Sequence, residues 1–439
     1  MHPLAEELNR TILEGNPHLH AMLSEMGKEL FFPKGILSQS AEAKEKAYRF
    51  NATIGIALEK GRAMHLACIQ DRLTGLDPNE VFPYAPAAGL PALRAKWQEK
   101  QFEENPSLAG KKPAKPIVTS ALTHGLSIVG DLFVDPGDPI LLPDKFWGNY
   151  RLIFEVRKKA RIVTYPLFAQ DGGFHLKAFE EALARESARS EKILVVLNFP
   201  NNPCGYSVTP AEGQAIADSL VRTAQRGTRI VAVLDDAYFG LTYMDGVLRE
   251  SLFGFLLNRD DRLLAIKLDG ATKEQFVWGF RVGFLTYGLG PGGDLEALYG
   301  ALEKKSMGAI RGCLSNGPHL SQTLVLKALE SPRYREEKRQ KFELLKARAL
   351  RVKAVLQNPD YSAVWSPYPF NAGYFMCLAL KTVDAEPLRV HLLERYGVGV
   401  IAASERDIRI AFSCIEEEDI PELFDLIYKG VLDLEKRRG

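Results

Sequence analysis

In "KLDGATKEQFVWGFRVGF", residues 267–284, an apolar run ends in a Gly-Ala-Thr turn, Lys273 follows at once, and Arg281 stands eight residues later among glycine and hydrophobic residues. A lysine beside a turn is ordinarily a solvated surface charge. An amine held partly out of water is a different reagent, able to form a Schiff base with a carbonyl. Three more apolar runs end in polar groups. "KILVVLNF" leads into Pro200-Asn201-Asn202-Pro203-Cys204-Gly205, "RIVAVL" into Asp235-Asp236-Ala237-Tyr238, and "KPIVT" into Ser120-Ala121-Leu122-Thr123-His124-Gly125, which opens a helix.

One ligand needs all of these groups. Backbone N–H groups and a hydroxyl at a helix N-terminus suit an anion such as phosphate, and an arginine can clamp the same anion with two parallel bonds. A carboxylate at a strand end can hold a pyridine nitrogen protonated, and asparagine and tyrosine side chains can hydrogen-bond a ring oxygen. Phosphate, aldehyde, ring nitrogen and phenolate together describe pyridoxal 5'-phosphate.

The elements that must position these groups are legible in the hydropathy pattern. From about Pro116 to Lys273, continuous Val/Ile/Leu runs alternate with amphipathic stretches, such as 210–226. Runs of that kind are strands buried on both faces of a mostly parallel sheet between helices. Ligands of such sheets bind outside the carboxyl ends of the strands, where the polar clusters fall. After Gly317 the chain turns to charged, helix-period segments, notably "RYREEKRQKFELLKARALRVKAVL" (333–356), whose charges read as a solvated helix face. "YSAVWSPYPFNAGYFMCLAL" and "DIRIAFSCI" read as strands, and "EPLRVHLLERY" and "EDIPELFDLIYKGVLDLEKR" as helices. The expected division is a large α/β domain over 66–340 and a smaller α+β domain from 1–65 and 341–439.

Bulk properties narrow the partners. With 439 residues, 46% hydrophobic and 25% charged, and a formal charge of +1, the chain has no electrostatic reason to bind nucleic acid or a membrane, so small-molecule substrates are expected. The five cysteines are scattered and form no CxxC pair, which argues for reduced thiols and against a zinc site. The N-terminus carries no basic segment followed by an apolar one, and the expected location is the cytoplasm.

Over roughly Ala52 to Ser413 the sequence resembles the fold type I, class I/II aminotransferases. "NNPCG" resembles the family's NPTG turn, with cysteine for threonine, and "DDAY" its D-x-A-Y; "TKEQFVWGFR" keeps the family's gap between Schiff-base lysine and phosphate arginine. The resemblance implies pyridoxal 5'-phosphate on a Lys273 Schiff base, with Arg281 on the phosphate, Asp235 on the pyridine nitrogen, and Asn202 and Tyr238 on the ring oxygen. Further motifs are similar to the aspartate and aromatic branch. "YAPAAGL" assigns Tyr84 to the phosphate of a neighbouring subunit, "FWGNY" assigns Trp147 to stacking on the ring, and "IRGCLSN" assigns Arg311 to a substrate's distal carboxylate across a dimer interface. "RIAFS" assigns Arg409 to the α-carboxylate, and "NATIG" places Gly55 near the substrate. Two departures stand out. Gly270 occupies a position where the family often has a phosphate-binding serine, leaving that task to Thr272, and the phosphate loop reads "ALTHGL", so Leu122 offers its backbone and Thr123 backbone plus hydroxyl.

What the resemblance implies is a homodimer that moves an amino group from an L-amino acid (aspartate, glutamate or aromatic) to a 2-oxo acid by a ping-pong cycle. A carbon–sulfur lyase on the same scaffold would use the same lysine, aspartate and arginine. A ligand sensor within a transcription regulator is disfavoured, because the fifty residues before "NATIG" are short for a helix-turn-helix module and show no basic recognition helix.

Overall fold

The computed structural model describes residues 1–31 and 36–436. Seven strands make the central sheet: β1 Ile117–Ser120, β2 Pro139–Pro143, β3 Arg161–Tyr165, β4 Lys192–Leu197, β5 Arg229–Asp235, β6 Leu263–Gly270 and β7 Val282–Gly288. Their spatial order is β1-β7-β6-β5-β4-β2-β3, with β7 antiparallel to both neighbours and all other pairs parallel. The continuous apolar runs are explained by burial on both faces. Ile193, Val195 and Leu197 of β4 enter the core on one side, and Leu194 and Val196 enter the core on the other. The helix Pro210–Gln225 covers the first of these cores, and the helix Ala121–Phe133 the second.

The topology puts the chemistry on one edge. β1, β4, β5 and β6 run in the same direction, so Ser120, Asn198, Asp235 and Gly270 reach the same side of the sheet. β7 runs back from it, starting at Val282 directly opposite Ser120, which brings Arg281 to that edge as well.

The C-terminal part builds a second sheet from β8 Trp365–Pro367, β9 Phe375–Leu380, β10 Ile401–Ala402 and β11 Asp407–Ala411, in the order β8-β9-β11-β10. Phe50–Asn51 pairs in parallel with Val398–Gly399, so the segment after the first fifty residues is tied to this part. The amphipathic helix Ile420–Lys436 closes its core with Leu423, Phe424, Ile427 and Val431.

The helix Tyr334–Val355 keeps the expected solvated face through Arg335, Glu336 and Arg339, but other charges of it turn inward. Arg348 is 2% exposed, and its Nη1 donates to the carbonyls of Leu58 at 2.7 Å and Ser413 at 2.6 Å, while its other arm pairs with Glu416. Lys338 turns inward to Glu274. This helix packs against Ile420–Lys436, His319–Glu330 and Ala67–Gln70, so long side chains on its inner faces must bring their own charge partners. Among the described residues no helix is long and apolar enough to cross a membrane.

Candidate active site

A cavity of about 330 Å³ lies at the carboxyl edge of the large sheet. Its wall gathers Gly55, Leu122, Thr123, Trp147, Asn202, Asp235, Tyr238, Lys273, Arg281 and Arg409, ten residues singled out in the sequence. Three others lie outside it. Tyr84 is 90% exposed, which leaves it free of this chain's cavity. Arg311, near the end of the helix Leu295–Cys313, is exposed and donates to Ser315 Oγ at 2.5 Å and Asn316 Oδ1 at 3.2 Å. Thr272 does not line the cavity: its side chain points into the protein, where the hydroxyl is buried without a hydrogen-bond partner.

Lys273 sits in the short turn of helix Ala271–Glu274 that follows β6, with its ammonium 5.2 Å from the Tyr238 ring centre. Among the described residues Nζ has neither a hydrogen-bond nor an ion-pair partner. Burial drives its pKa from 10.5 down to about 8, Arg281 pushes in the same direction, and Asp235 opposes them. An amine in this state is partly neutral near pH 7 and therefore nucleophilic.

Asp235 ends β5 and is 3% exposed. Burial raises its pKa, against the Tyr150 hydroxyl that donates to Oδ2 at 2.5 Å, the attraction of Lys273, and the Ala237 N–H that donates to Oδ1 at 3.2 Å. Among the described residues no cation bonds this carboxylate directly, so it is poised to receive a positively charged donor.

At the other end of the cavity, the helix Ala121–Phe133 starts without a side-chain cap, and the residues of its first turn, Ala121, Leu122 and Thr123, line the wall. Uncapped first-turn N–H groups and the helix dipole favour an anion there. Arg281 is exposed and lines the same wall. Ala121 and Arg281 both adopt positive φ, +60° and +55°, in the left-handed region that non-glycine residues rarely enter. Such strained positions concentrate at functional sites. His124 accepts the Ser120 N–H on Nδ1 at 3.1 Å, and burial lowers its pKa.

Arg409, on β11, is 2% exposed and only partly satisfied. Nη1 donates to Asn202 Oδ1 at 3.2 Å and Nη2 to the Thr53 carbonyl at 2.8 Å, the guanidinium lies 4.1 Å over the Phe375 ring, and Nε is buried without a partner. A buried guanidinium with a spare donor can receive a carboxylate. Asn202 is held by its own N–H donating to Asn198 Oδ1 at 2.8 Å, and Asn198 in turn donates to the Asp235 carbonyl at 2.8 Å. The loop fits against β9 only because residue 205 is glycine: it has φ +73°, and a Cβ there would lie 2.0 Å from the Phe375 carbonyl oxygen. Gly55 is similarly close, with Phe375 Cζ 3.2 Å from where its Cβ would be.

The sequence reading missed Tyr150, Asn198 and Phe375, which also line the cavity. Asn198 carried a usable signal, as the first residue past β4; Tyr150 stands three residues after Trp147 and packs edge-on to it at 5.6 Å. Asp236, the neighbour of Asp235, does not line the cavity and is a buried partner of Lys267 and of Ser251, whose hydroxyl donates to it at 2.6 Å.

Comparisons with known proteins give the family. The family model for aminotransferase class I and II matches residues 61–427. A probable aspartate/prephenate aminotransferase of Aquifex aeolicus is 25% identical over 345 residues, covering 76% of this chain and 80% of that protein. A 2-aminoadipate transaminase of Thermus thermophilus is 27% identical over 348 residues, 77% of this chain and 79% of that one. Among solved structures, an aminotransferase from Anaerococcus prevotii superposes with a TM-score of 0.82 at 24% identity, over 93% of this chain and 99% of that one. A kynurenine aminotransferase from Pyrococcus horikoshii superposes with a TM-score of 0.78 at 16% identity, over 96% and 99%.

Proposed function

Because this chain belongs to the class I and II aminotransferases, we propose that its cavity takes the amino group of an L-amino acid, with aspartate, glutamate and the aromatic amino acids as candidate donors, and passes it to a 2-oxo acid in a ping-pong cycle centred on Lys273. The observation that carries this reading is the unpaired, half-buried Lys273 amine with a lowered pKa, in one cavity with Asp235 and Arg281.

The family implies pyridoxal 5'-phosphate, and the donor set fits it. The uncapped helix start at Leu122 and Thr123, with Arg281, suits a phosphate; Thr272 contributes no group to the cavity wall. Asp235, a buried carboxylate without a bonded cation, suits a protonated pyridine nitrogen; Asn202 and Tyr238 suit the phenolate oxygen, and Trp147 offers a ring face. When bound, this cofactor supplies an electron sink for negative charge developing at a substrate carbon.

The chain's own residues do the rest. Lys273 Nζ would hold the cofactor's aldehyde carbon and, as a neutral amine, would take up the proton that leaves the substrate Cα. Arg409 binds the substrate α-carboxylate through its fork and its unsatisfied Nε. That grip turns the Cα–H bond toward Lys273, and orientation of this kind selects proton removal over loss of the carboxylate. Exposed Tyr84 and Arg311 would act on a second copy's site, so the active unit in this reading is a symmetric homodimer. In this reading the protein works in the cytoplasm, where its five cysteines would stay reduced.

The test is to add single amino acids to the cofactor-loaded protein, with no oxo acid, and follow absorbance. Stoichiometric conversion of the cofactor from its aldehyde to its amine form is expected for at least one donor. Absence of conversion with every proteinogenic amino acid refutes the proposal, and release of pyruvate or ammonia in its place marks a carbon–sulfur lyase.

A further inference from the structure

A second cavity, of about 460 Å³, adjoins the first, and the two share Trp147, Asn149, Asn202 and Arg409. A substrate whose α-carboxylate lies on Arg409 therefore has this space directly available for its side chain. The size falls within the usual range of small-molecule sites. Hydrocarbon dominates its wall, chiefly Phe31, Phe146, Trp147, Leu152 and Pro203. Phe31 comes from the N-terminal segment, far from the rest in sequence. Its ring stacks on His2 with centroids 4.0 Å apart and planes at 10°. His2 is fixed in its turn as the N-cap of the helix Pro3–Gly15, where Nδ1 accepts the Leu4 N–H at 3.2 Å.

Among the described residues Arg409 is the one buried cation of this wall, and the α-carboxylate takes it. Arg151 is already engaged, donating to Glu155 at 2.9 Å with its guanidinium 5.3 Å over the Phe146 ring. Asp144 stands on the same wall and would repel a second carboxylate.

We infer that the second cavity is the side-chain subsite of this enzyme and takes the aromatic ring of an L-amino acid, with the His2–Phe31 stack as its outer wall. The inference rests on the transaminase reading above and narrows its donors to the aromatic class. An aromatic side chain offers large apolar area and ring faces and edges to Phe31, Phe146 and Trp147, the pairing such rings prefer.

Steady-state transamination by the full-length, cofactor-loaded enzyme decides it, with L-phenylalanine, L-alanine and L-aspartate as donors, in wild type and in Phe31→Ala. The wild type is expected to favour phenylalanine over aspartate in kcat/KM by about tenfold or more, and Phe31→Ala to lower the phenylalanine-to-alanine ratio roughly tenfold, the scale of a lost apolar contact in a specificity pocket. A preference for aspartate, or an unchanged ratio in the variant, overturns the inference. Calorimetric binding of hydrocinnamate and of succinate separates the subsite from the reaction. If no amino acid is transaminated yet hydrocinnamate binds about tenfold more tightly than succinate and Phe31→Ala removes that margin, the subsite stands and the transaminase reading falls. Equal binding of the two acids overturns the subsite.

Discussion

Replacing Lys273 with methionine should stabilise the cofactor-free protein at neutral pH while abolishing its activity. The native site holds the Lys273 ammonium where burial and Arg281 disfavour it, lowering its pKa from 10.5 to about 8. At about 1.4 kcal/mol for each tenfold change in proton affinity, holding that charge costs the fold about 3 kcal/mol as an upper bound. The sign follows from linkage. A base whose folded pKa is depressed penalises the fold in full below the folded value, near pH 8, and the penalty fades as pH rises toward the unfolded value of 10.5. Methionine, similar in length and uncharged, carries no such penalty. Urea denaturation of cofactor-free wild type and Lys273→Met, at steps from pH 7 to pH 10.5, should show the variant ahead by about 1–3 kcal/mol at the lower end, with the gap closing toward the upper end. Other titrating groups are common to both proteins and cancel in the difference. A variant less stable than wild type at pH 7, or a gap that does not change with pH, would refute the placement of this amine in a desolvated, electropositive site.

Three further perturbations probe the frame around it. Arg409→Lys keeps the charge and loses the fork that reaches Asn202 and the Thr53 carbonyl, so the KM for the amino donor should rise about tenfold with kcat less affected; an unchanged KM would remove Arg409 from the carboxylate site. Gly205→Ala places a methyl 2.0 Å from the Phe375 carbonyl at a φ of +73°, and should cost roughly 3 kcal/mol or more in chemical denaturation; a near-neutral result would mean that the loop and β9 are not packed as described. Glu274→Gln strips the carboxylate that Lys100 bonds at 2.8 Å and that Lys338 also pairs with. Burial alone would raise the Glu274 pKa, but the two ammoniums outweigh it and hold it well below 4.5. Its stabilisation is therefore present above pH 4.5 and lost as pH falls toward the depressed native value, so the deficit of the variant, about 3–5 kcal/mol at pH 7, should shrink in acid.

The edge that carries the candidate site could be read from sequence because its signals are local. A strand buried on both faces announces itself as an unbroken apolar run, and the first polar residue after it marks the strand's carboxyl end. Asp235, Asn202 and Lys273 each follow such a run closely, and parallel topology alone brings those ends to one side. Buried charge did not announce itself in this way. Lys267 lies inside the run "RLLAIKL", one residue short of Leu268, and is 1% exposed; only the pairing of β5 with β6 brings Asp236 within reach of it. The inward-turned Lys338 and Arg348 escaped for the same reason, since helical period alone does not tell a face turned to water from one turned to a neighbouring core.

Tyr150 and the second cavity show what further information is needed. Tyr150 starts the π-helical turn at Arg151–Val156, in a stretch whose apolar residues give no hint that one hydroxyl meets Asp235, 85 positions away. The proposed carboxylate clamp is put together from Thr53, Asn202 and Arg409, and the wall of the second cavity from Phe31 and Phe146, each set drawn from separate segments. A motif states which atoms can react, because reactivity depends on residue type and immediate surroundings. Which substrate they react with depends on surfaces that meet only in the folded chain. For that reason the family motifs, including the one that pointed to Arg311 and an acidic donor, are weaker guides to specificity than the apolar wall behind Arg409, and the competition between phenylalanine and aspartate is the measurement on which the two lines of reasoning part.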